Sequence, residues 1–462
     1  MTQQDNHRRA IVLGGSVAGL LAARVLTDHY DWITVIDRDS LPEIAQHRRG
    51  VPHGRHLHGL HPRGLQIMEE LLPGLSKTLI EDGAVSGDAL AETRLLFSGH
   101  RFRQAPAGLD ELLFSRPFLE AHVRARVLAL PQVRVLERCD IIGLTAADGG
   151  KTITGVRVVP DGGDERRMYA DLVVDATGRG SRAPMWLEQL GYRRPPEERV
   201  EIGLGYATRA FRLRPGALGS DVLVVHGGTP DNTRSGFLAA IEGGRHMVTL
   251  AGILGDHPPT DLADFRAFAE SLIFPDIAEA LVGAEPLDDG VSFRFPVSVR
   301  RRYEQLRELP ARMLAIGDAV CSFNPVYGQG MTVAAVEALA LRRLLARHPV
   351  PDPQRYYRRI ARAVDVPWQI AVGADLAYPE VPGERTAQIR LVNSYLPKLH
   401  AAAASDPSLG RAFARVIGLL ERPESLLRPD RVLRVLVGNL RRRNALPAPF
   451  PREVPIGGRS RS

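Results

Sequence analysis

The chain has 462 residues, too many for one small hydrophobic core, and its 44% hydrophobic and 24% charged content is that of an ordinary globular protein. The net charge of +7 does not make it a nucleic-acid binder, because nearly all 60 basic residues are arginines spread along the chain among 53 acids. Two cysteines, Cys139 and Cys321, exclude a disulfide framework and fit a reducing cytoplasm, and no run reaches the roughly 18 apolar residues of a membrane span.

Residues 10–13 read as a short apolar strand, followed by a glycine turn that opens a helix. Residues 32–39 (WITVIDRD) form a second apolar strand ending in acids, which completes a βαβ unit. The next segment, 47–61 (HRRGVPHGRHLHGLH), holds five of the 14 histidines: His47, His53, His56, His58 and His61. Short strands are expected near 94–102, a helix over 115–130, and antiparallel strands over 133–146 and 152–160. A buried strand running into a glycine loop is expected at 171–182 (DLVVDATGRGSR). From about 186 to 292 alternating segments predict an antiparallel sheet, with a helix at 261–272 beside it. Another buried strand is expected at 312–320, a long helix after the glycine turn at 328–330, and mostly helix from 351 onward.

Two motifs carry chemistry. The first is Gly14-Gly15-Ser16-Val17-Ala18-Gly19, a dinucleotide-type turn with serine at its third position. It follows a strand, opens a helix and lies 23 residues before Asp37, where a carboxylate accepts hydrogen bonds from a ribose. The bland alternative is an ordinary glycine turn. The second is Gly317-Asp318 at a strand end, then Asn324-Pro325-Val326, then Gly328-Gln329-Gly330-Met331 opening a helix. A helix start offers unpaired N–H groups and a positive dipole end to negative charge.

These motifs, in this order, resemble those of the FAD-dependent monooxygenases related to p-hydroxybenzoate hydroxylase, over roughly residues 10–345. The serine in the first motif, the ATGRGSR segment and the R-x-G-V-P segment are similar to bacterial natural-product epoxidases of the polyene epoxidase type. The resemblance implies an α/β fold: a Rossmann-like FAD-binding domain, an inserted antiparallel β-sheet substrate domain and a helical C-terminal region. Its implied pieces are FAD-binding at 1–185 (with substrate-domain strands near 90–105), substrate sheet at 186–292, FAD-binding again at 293–350, helices at 351–450, and a tail at 451–462.

The same resemblance implies that Gly14, Gly15, Ser16, Gly19, Asp37 and Arg38 hold the AMP half of FAD. Arg49, with Arg48 as its alternative, is expected at the pyrophosphate, and Arg116 against FAD. Asp175 belongs to the middle motif, where Thr177-Gly178 replaces Asp-Gly. Gly317, Asp318, Gly328, Gly330 and Met331 are expected along the flavin half. Asn324, Pro325 and Val326 are expected to shape the flavin's reactive edge, and no side chain is assigned as acid or base. The histidines then become residues of the flavin loop and the helix beside it, with substrate contact as the alternative. A metal is not expected, because no nearby Cys, Asp or Glu completes a ligand set.

The implied activity inserts one oxygen of O2 into a lipophilic, secondary-metabolite-type substrate through a flavin C4a-hydroperoxide, by alkene epoxidation or aromatic hydroxylation. NAD(P)H is the implied transient reductant, directly or through a partner flavin reductase. An FAD-dependent dehydrogenase or reductase shares these motifs and stays open as the alternative. A halogenase is disfavoured, since Trp32, Trp186 and Trp368 leave no W-x-W-x-I-P segment. The arginine-rich amphipathic segment 425–444 is expected to pack on its own domain, with a membrane surface as the alternative.

Overall fold

The computed structural model of the chain describes residues 7–444, so the expected tail at 451–462 lies outside the described residues. A five-stranded parallel sheet forms the first layer, in the order Met313–Ala315, Leu172–Asp175, β1 (Arg9–Leu13), β2 (Trp32–Ile36), Val133–Leu136. Its strands are short Val-, Ile- and Leu-rich runs, as a sheet covered on both faces requires. Val12, Val35, Val174 and Leu314 are all fully buried. Helix α1 (Val17–Leu26) covers one face together with the helix Gly330–Leu345.

The central strands all point the same way, so their C-terminal ends meet along one edge. That edge carries the turn after β1, Asp37 after β2, Thr177 after Leu172–Asp175, and Asp318 after Met313–Ala315. In open α/β sheets this is the edge where ligands bind.

The second layer is a nine-stranded, mostly antiparallel sheet. Its path runs Cys321–Ser322, Val291–Arg301, Glu197–Arg212, Arg245–Gly252, Arg234–Ile241, Leu223–His226, Thr93–Phe97, His100–Arg101, and the ninth strand, Glu285–Pro286, pairs off this path with Glu197–Arg212. The expected boundary at residue 292 is therefore displaced. Val291–Arg301 pairs with Glu197–Arg212 from Glu197↔Arg301 to Thr208↔Val291, which keeps it in the large sheet. The chain rejoins the parallel sheet at Met313–Ala315. Residues 139–169 form a separate three-stranded antiparallel sheet.

Beyond residue 351 the chain is helical: Pro353–Asp375, Ala387–Ala403, Pro407–Ile417 and Pro429–Asn444. Asp352, Thr386 and Asp406 cap the first three with side-chain oxygens, and Pro353 and Pro407 supply the fixed φ of a first helical turn. These helices close over the outer strands of the large sheet, with Leu399, Leu409 and Phe413 packed against Leu90, Leu95 and Phe102.

The turn after β1 is held by close backbone approach. Gly14 has φ +100°, and a Cβ there would lie 2.6 Å from the Ala176 carbonyl oxygen. A Cβ on Gly19 would lie 1.8 Å from the Gly14 carbonyl oxygen. Gly19→Ala therefore forces backbone apart, and is expected to lower stability by about 1–3 kcal/mol in urea unfolding. Unchanged unfolding would remove this packing role.

Candidate functional site

A cavity of about 1560 Å³ lies between the two layers and the C-terminal helices, larger than the roughly 300–1,000 Å³ of common small-molecule sites. One end is polar and touches both motifs. Gly14, Ser16, Asp37, Arg38, Arg116, Gly317, Asp318, Asn324, Pro325, Val326, Gly328, Gly330 and Met331 all line it. Gly15 and Gly19 sit behind the turn: the Gly15 N–H donates to Asp37 Oδ2 at 2.7 Å, and Gly19 permits the packing described above.

Ser16 begins α1 without capping it through its side chain. Its hydroxyl instead donates to Glu120 Oε2 (2.8 Å) and accepts from Arg116 Nη2 (2.9 Å). The first-turn N–H groups of α1, which lack intrahelical partners, are left at the cavity wall beside Val17 and Ala18. Glu120 is buried and also pairs with Arg48 (Nε, 2.9 Å) and Arg124 (3.4 Å). Burial alone would raise its carboxyl, but Arg116 and Arg48, with the Ser16 hydrogen bond, hold it below the usual range. Of these arginines, Arg48 and Arg116 line the cavity beside a helix start. No motif marks Glu120, yet Arg116, Glu120 and Arg124 at i, i+4 and i+8 share a helix face, which is a legible signal.

Two expected contacts need correction. Arg49 is exposed and does not line the cavity, whereas its neighbour Arg48 is buried, 8% exposed, and does. Asp37, Asp39 and Glu120 draw Arg48 inward. Asp175 lies beneath its loop, fully buried and off the cavity wall. Its carboxylate accepts from the Thr177 N–H (2.9 Å), Thr177 Oγ1 (2.6 Å) and Ser181 Oγ (2.5 Å). It holds the loop in shape, while Thr177, Gly178 and Arg179 face the cavity.

At the second motif, Gly317 adopts φ +67° and its N–H donates to the buried Glu337 carboxylate. Burial pushes Glu337 up to about 8. Burial also raises the neighbouring Asp318, against the pull of Arg179, Arg116 and Arg301. The Asn324 side-chain oxygen accepts from the Val326 N–H (3.1 Å). Asn324 Nδ2 and the Tyr327 hydroxyl both donate to Asp375 Oδ1 at 2.8 Å. Asp375 ends the helix Pro353–Asp375, is buried, and has no partner at Oδ2. Burial pushes it up to about 6. Nothing in the sequence flagged Asp375, which lies outside every motif.

The histidines precede a helix instead of riding on one. His53 is in the 3-10 turn Pro52–Arg55, and His61 is the N-cap of α2 (Pro62–Leu71). His53, His56, His58 and His61 line the cavity. His56 Nδ1 lies 2.8 Å from Thr208 Oγ1, His58 Nδ1 lies 2.9 Å from the His56 carbonyl, and His61 Nε2 lies 2.8 Å from the Tyr327 carbonyl. Burial pushes His53 and His56 down to about 4 and lowers His58 and His61, so all four are neutral imidazoles near pH 7. Among the described residues no group of three His, Cys, Asp or Glu is placed to hold a metal.

Away from the motifs the cavity turns apolar. Tyr206 and Phe293 pack at 5.6 Å beside His56, and Leu95, Phe97, Val225 and Phe413 continue the wall. Both free cysteines are buried, Cys139 on the cavity wall and Cys321 behind Asp318, and burial raises both thiols.

No protein-family model matches the chain. Protein Rv3254 of Mycobacterium tuberculosis is 35% identical to it over 433 residues, covering 89% of this chain and 90% of that protein. A kynurenine 3-monooxygenase of Salinispora tropica is 26% identical over 370 residues, 74% of this chain and 73% of that one. The solved structure of the flavin-dependent brominase Bmp2 matches with a TM-score of 0.67 at 14% identity, covering 95% of this chain and 100% of that one, a likeness of fold. With the expected α/β layers and both motifs meeting on one cavity, the chain belongs to the family of Protein Rv3254 and has the fold of the FAD-dependent flavoprotein monooxygenases.

Proposed function

We propose that the chain binds FAD along the polar end of the cavity and inserts one oxygen atom of O2 into a lipophilic alkene or aromatic substrate held in the apolar end. NAD(P)H is the reductant, directly or through a partner reductase. One observation carries this reading: two helix starts, α1 and Gly330–Leu345, open on a single cavity whose far end is walled largely by apolar side chains such as Leu95, Phe97, Val225 and Phe413. The 26%-identical kynurenine 3-monooxygenase supports ring hydroxylation as one outcome, and the natural-product likeness supports epoxidation as the other.

The residues fit a dinucleotide flavin. Neither helix start is capped by its own side chain, so unpaired N–H groups face the cavity. Arg116 Nε and Gln329 Oε1 are buried without hydrogen-bond partners. The Gly14 turn brings backbone to the wall where any Cβ would strike Ala176. Arg48, Arg116 and the α1 start would hold the pyrophosphate, Asp37 a ribose, and Asp318 the ribityl hydroxyls. FAD, when bound and reduced, supplies the activation of O2, with the second oxygen leaving as water.

The remaining residues orient and exclude. Asp375, Asn324 and Tyr327 brace the turn Pro325–Tyr327 at the entrance to the apolar end. The neutral histidines add hydrogen-bonding groups without charge, and the aromatic wall keeps water out, which oxygen transfer requires. Alkene epoxidation needs no side-chain base, and none is assigned.

Asp318→Ala is expected to yield largely FAD-free protein, read from the flavin-to-protein absorbance ratio, and full retention would remove Asp318 from the cofactor site. Turnover under isotopically labelled O2 is expected to put one labelled oxygen in the product, with O2 uptake matching product formed. Substrate conversion without O2 uptake would assign hydride transfer instead. Asp375 gives a pH test. Its carboxyl is raised to about 6 in the fold, so the fold favours the protonated form. Its effect is absent below the unfolded value near 4, and stability falls as pH rises through 4 to 6, by about 2–3 kcal/mol in all. Relative to Asp375→Asn, the wild type should lose about that amount between about pH 3.5 and 6.5 in denaturant unfolding; parallel curves would mean that Asp375 titrates normally.

A further inference from the structure

The helix Pro429–Asn444 has two unlike faces. One packs on the helix Ala387–Ala403: Val435 is buried, Asn439 Nδ2 donates to the Lys398 carbonyl (2.8 Å), and Arg442 donates to the Ala401 carbonyl (3.0 Å). A Cβ on Gly438 would lie 3.0 Å from Ala402 Cβ, so the two helices meet closely there. The other face is apolar and uncovered. Leu433, Leu436, Val437 and Leu440 fall at i, i+3, i+4 and i+7, one continuous stripe. They are 62%, 55%, 36% and 58% exposed. The expectation that this segment simply packs on its own domain holds for one face and fails for the other.

Charge selects the occupant. Residues 422–444 contain seven arginines against two acids, Glu424 and Asp430. Arg434 and Arg441 are exposed and fall beside the stripe on the helical wheel, Arg434 also reaching Asp406 at 3.2 Å. A second copy of the chain would set these arginines against their own kind. The segment 445–462 is itself basic, with Arg452, Arg459 and Arg461 against Glu453, and is a poor complement for the same reason. An anionic bilayer satisfies both halves: leucines enter the headgroup and acyl boundary while arginines reach lipid phosphates. Among the described residues no helix is long and apolar enough to cross a membrane, so contact would be along the surface.

The cavity opens nearby. Leu427, two residues before the helix, and Leu391 on the neighbouring helix both line the cavity and are exposed, 38% and 58%. We propose that the Leu433–Leu440 stripe and its flanking arginines dock this protein on an anionic lipid surface, with the apolar mouth of the cavity beside the contact. The docking does not depend on the oxygenation reading, and its test does not use turnover.

The test is vesicle flotation of the FAD-loaded full chain. Vesicles of phosphatidylcholine alone are compared with vesicles in which part of it is replaced by phosphatidylglycerol. The protein is expected to float with the anionic vesicles and at least about 10-fold more weakly with the neutral ones. Leu436→Ser with Leu440→Ser should reduce anionic binding by about 10-fold or more while leaving the flavin spectrum and melting temperature unchanged, since both side chains are exposed. Arg434→Gln with Arg441→Gln should erase the preference for anionic vesicles. Absence of wild-type flotation, or equal binding to both vesicles, would overturn the proposal. So would a dimer in solution that the leucine variant dissociates, or flotation that appears only after residues 445–462 are removed.

Discussion

A single buried carboxylate organises the polar end of this molecule. Glu120 collects Arg48 from the loop after β2, Arg116 and Arg124 from its own helix, and the Ser16 hydroxyl from the start of α1. Without it three guanidinium groups would share a low-dielectric pocket with too little negative charge, a cost of several kcal/mol for any one left unpaired. With it, and with Asp37 and Asp39 beside Arg48, they are fixed around a helix start, Arg48 and Arg116 on the cavity wall. The loop 47–61 takes its course from the same contact, since Arg48 is anchored there and the histidines follow along the cavity wall.

Much of the fold was legible because it rests on local pattern. The apolar runs at 10–13, 172–175 and 313–315 are buried on both faces, that at 32–36 is buried except at Trp32 and Thr34, all have the length of strands, and the glycines at 14 and 328 mark turns that require positive φ. What was not legible depends on partners distant in sequence. Arg48 and Arg49 are adjacent in an irregular loop, and only Glu120, 72 residues away, decides which turns inward. Asp175 reads as a motif acid, but hydrogen bonds from Thr177 and Ser181 consume its oxygens. The boundary near 292 failed because alternation along a strand does not reveal which sheet it joins, and that was set by pairing with Glu197–Arg212.

The C-terminal helices are part of the site and not an appendage to it. Asp375 ties the end of one to the loop at Asn324 and Tyr327, and Phe413 on another meets the outer strands. The cavity is therefore closed by elements that a motif search over residues 10–345 does not cover. Its polar end was visible in the sequence, and its apolar end took shape only when sheet and helices were brought together.

The two buried cysteines have a consequence for durability. Enzymes that combine reduced flavin with O2 leak some hydrogen peroxide, which oxidises thiolates far faster than thiols. Under the proposed chemistry that peroxide would arise within the cavity, where Cys139 lies on the wall. Burial keeps Cys139 and Cys321 in the protonated form. On that proposal the sulfur beside the oxidant would stand in the state least open to sulfenic acid formation, and the working lifetime would not be limited by self-inflicted thiol damage.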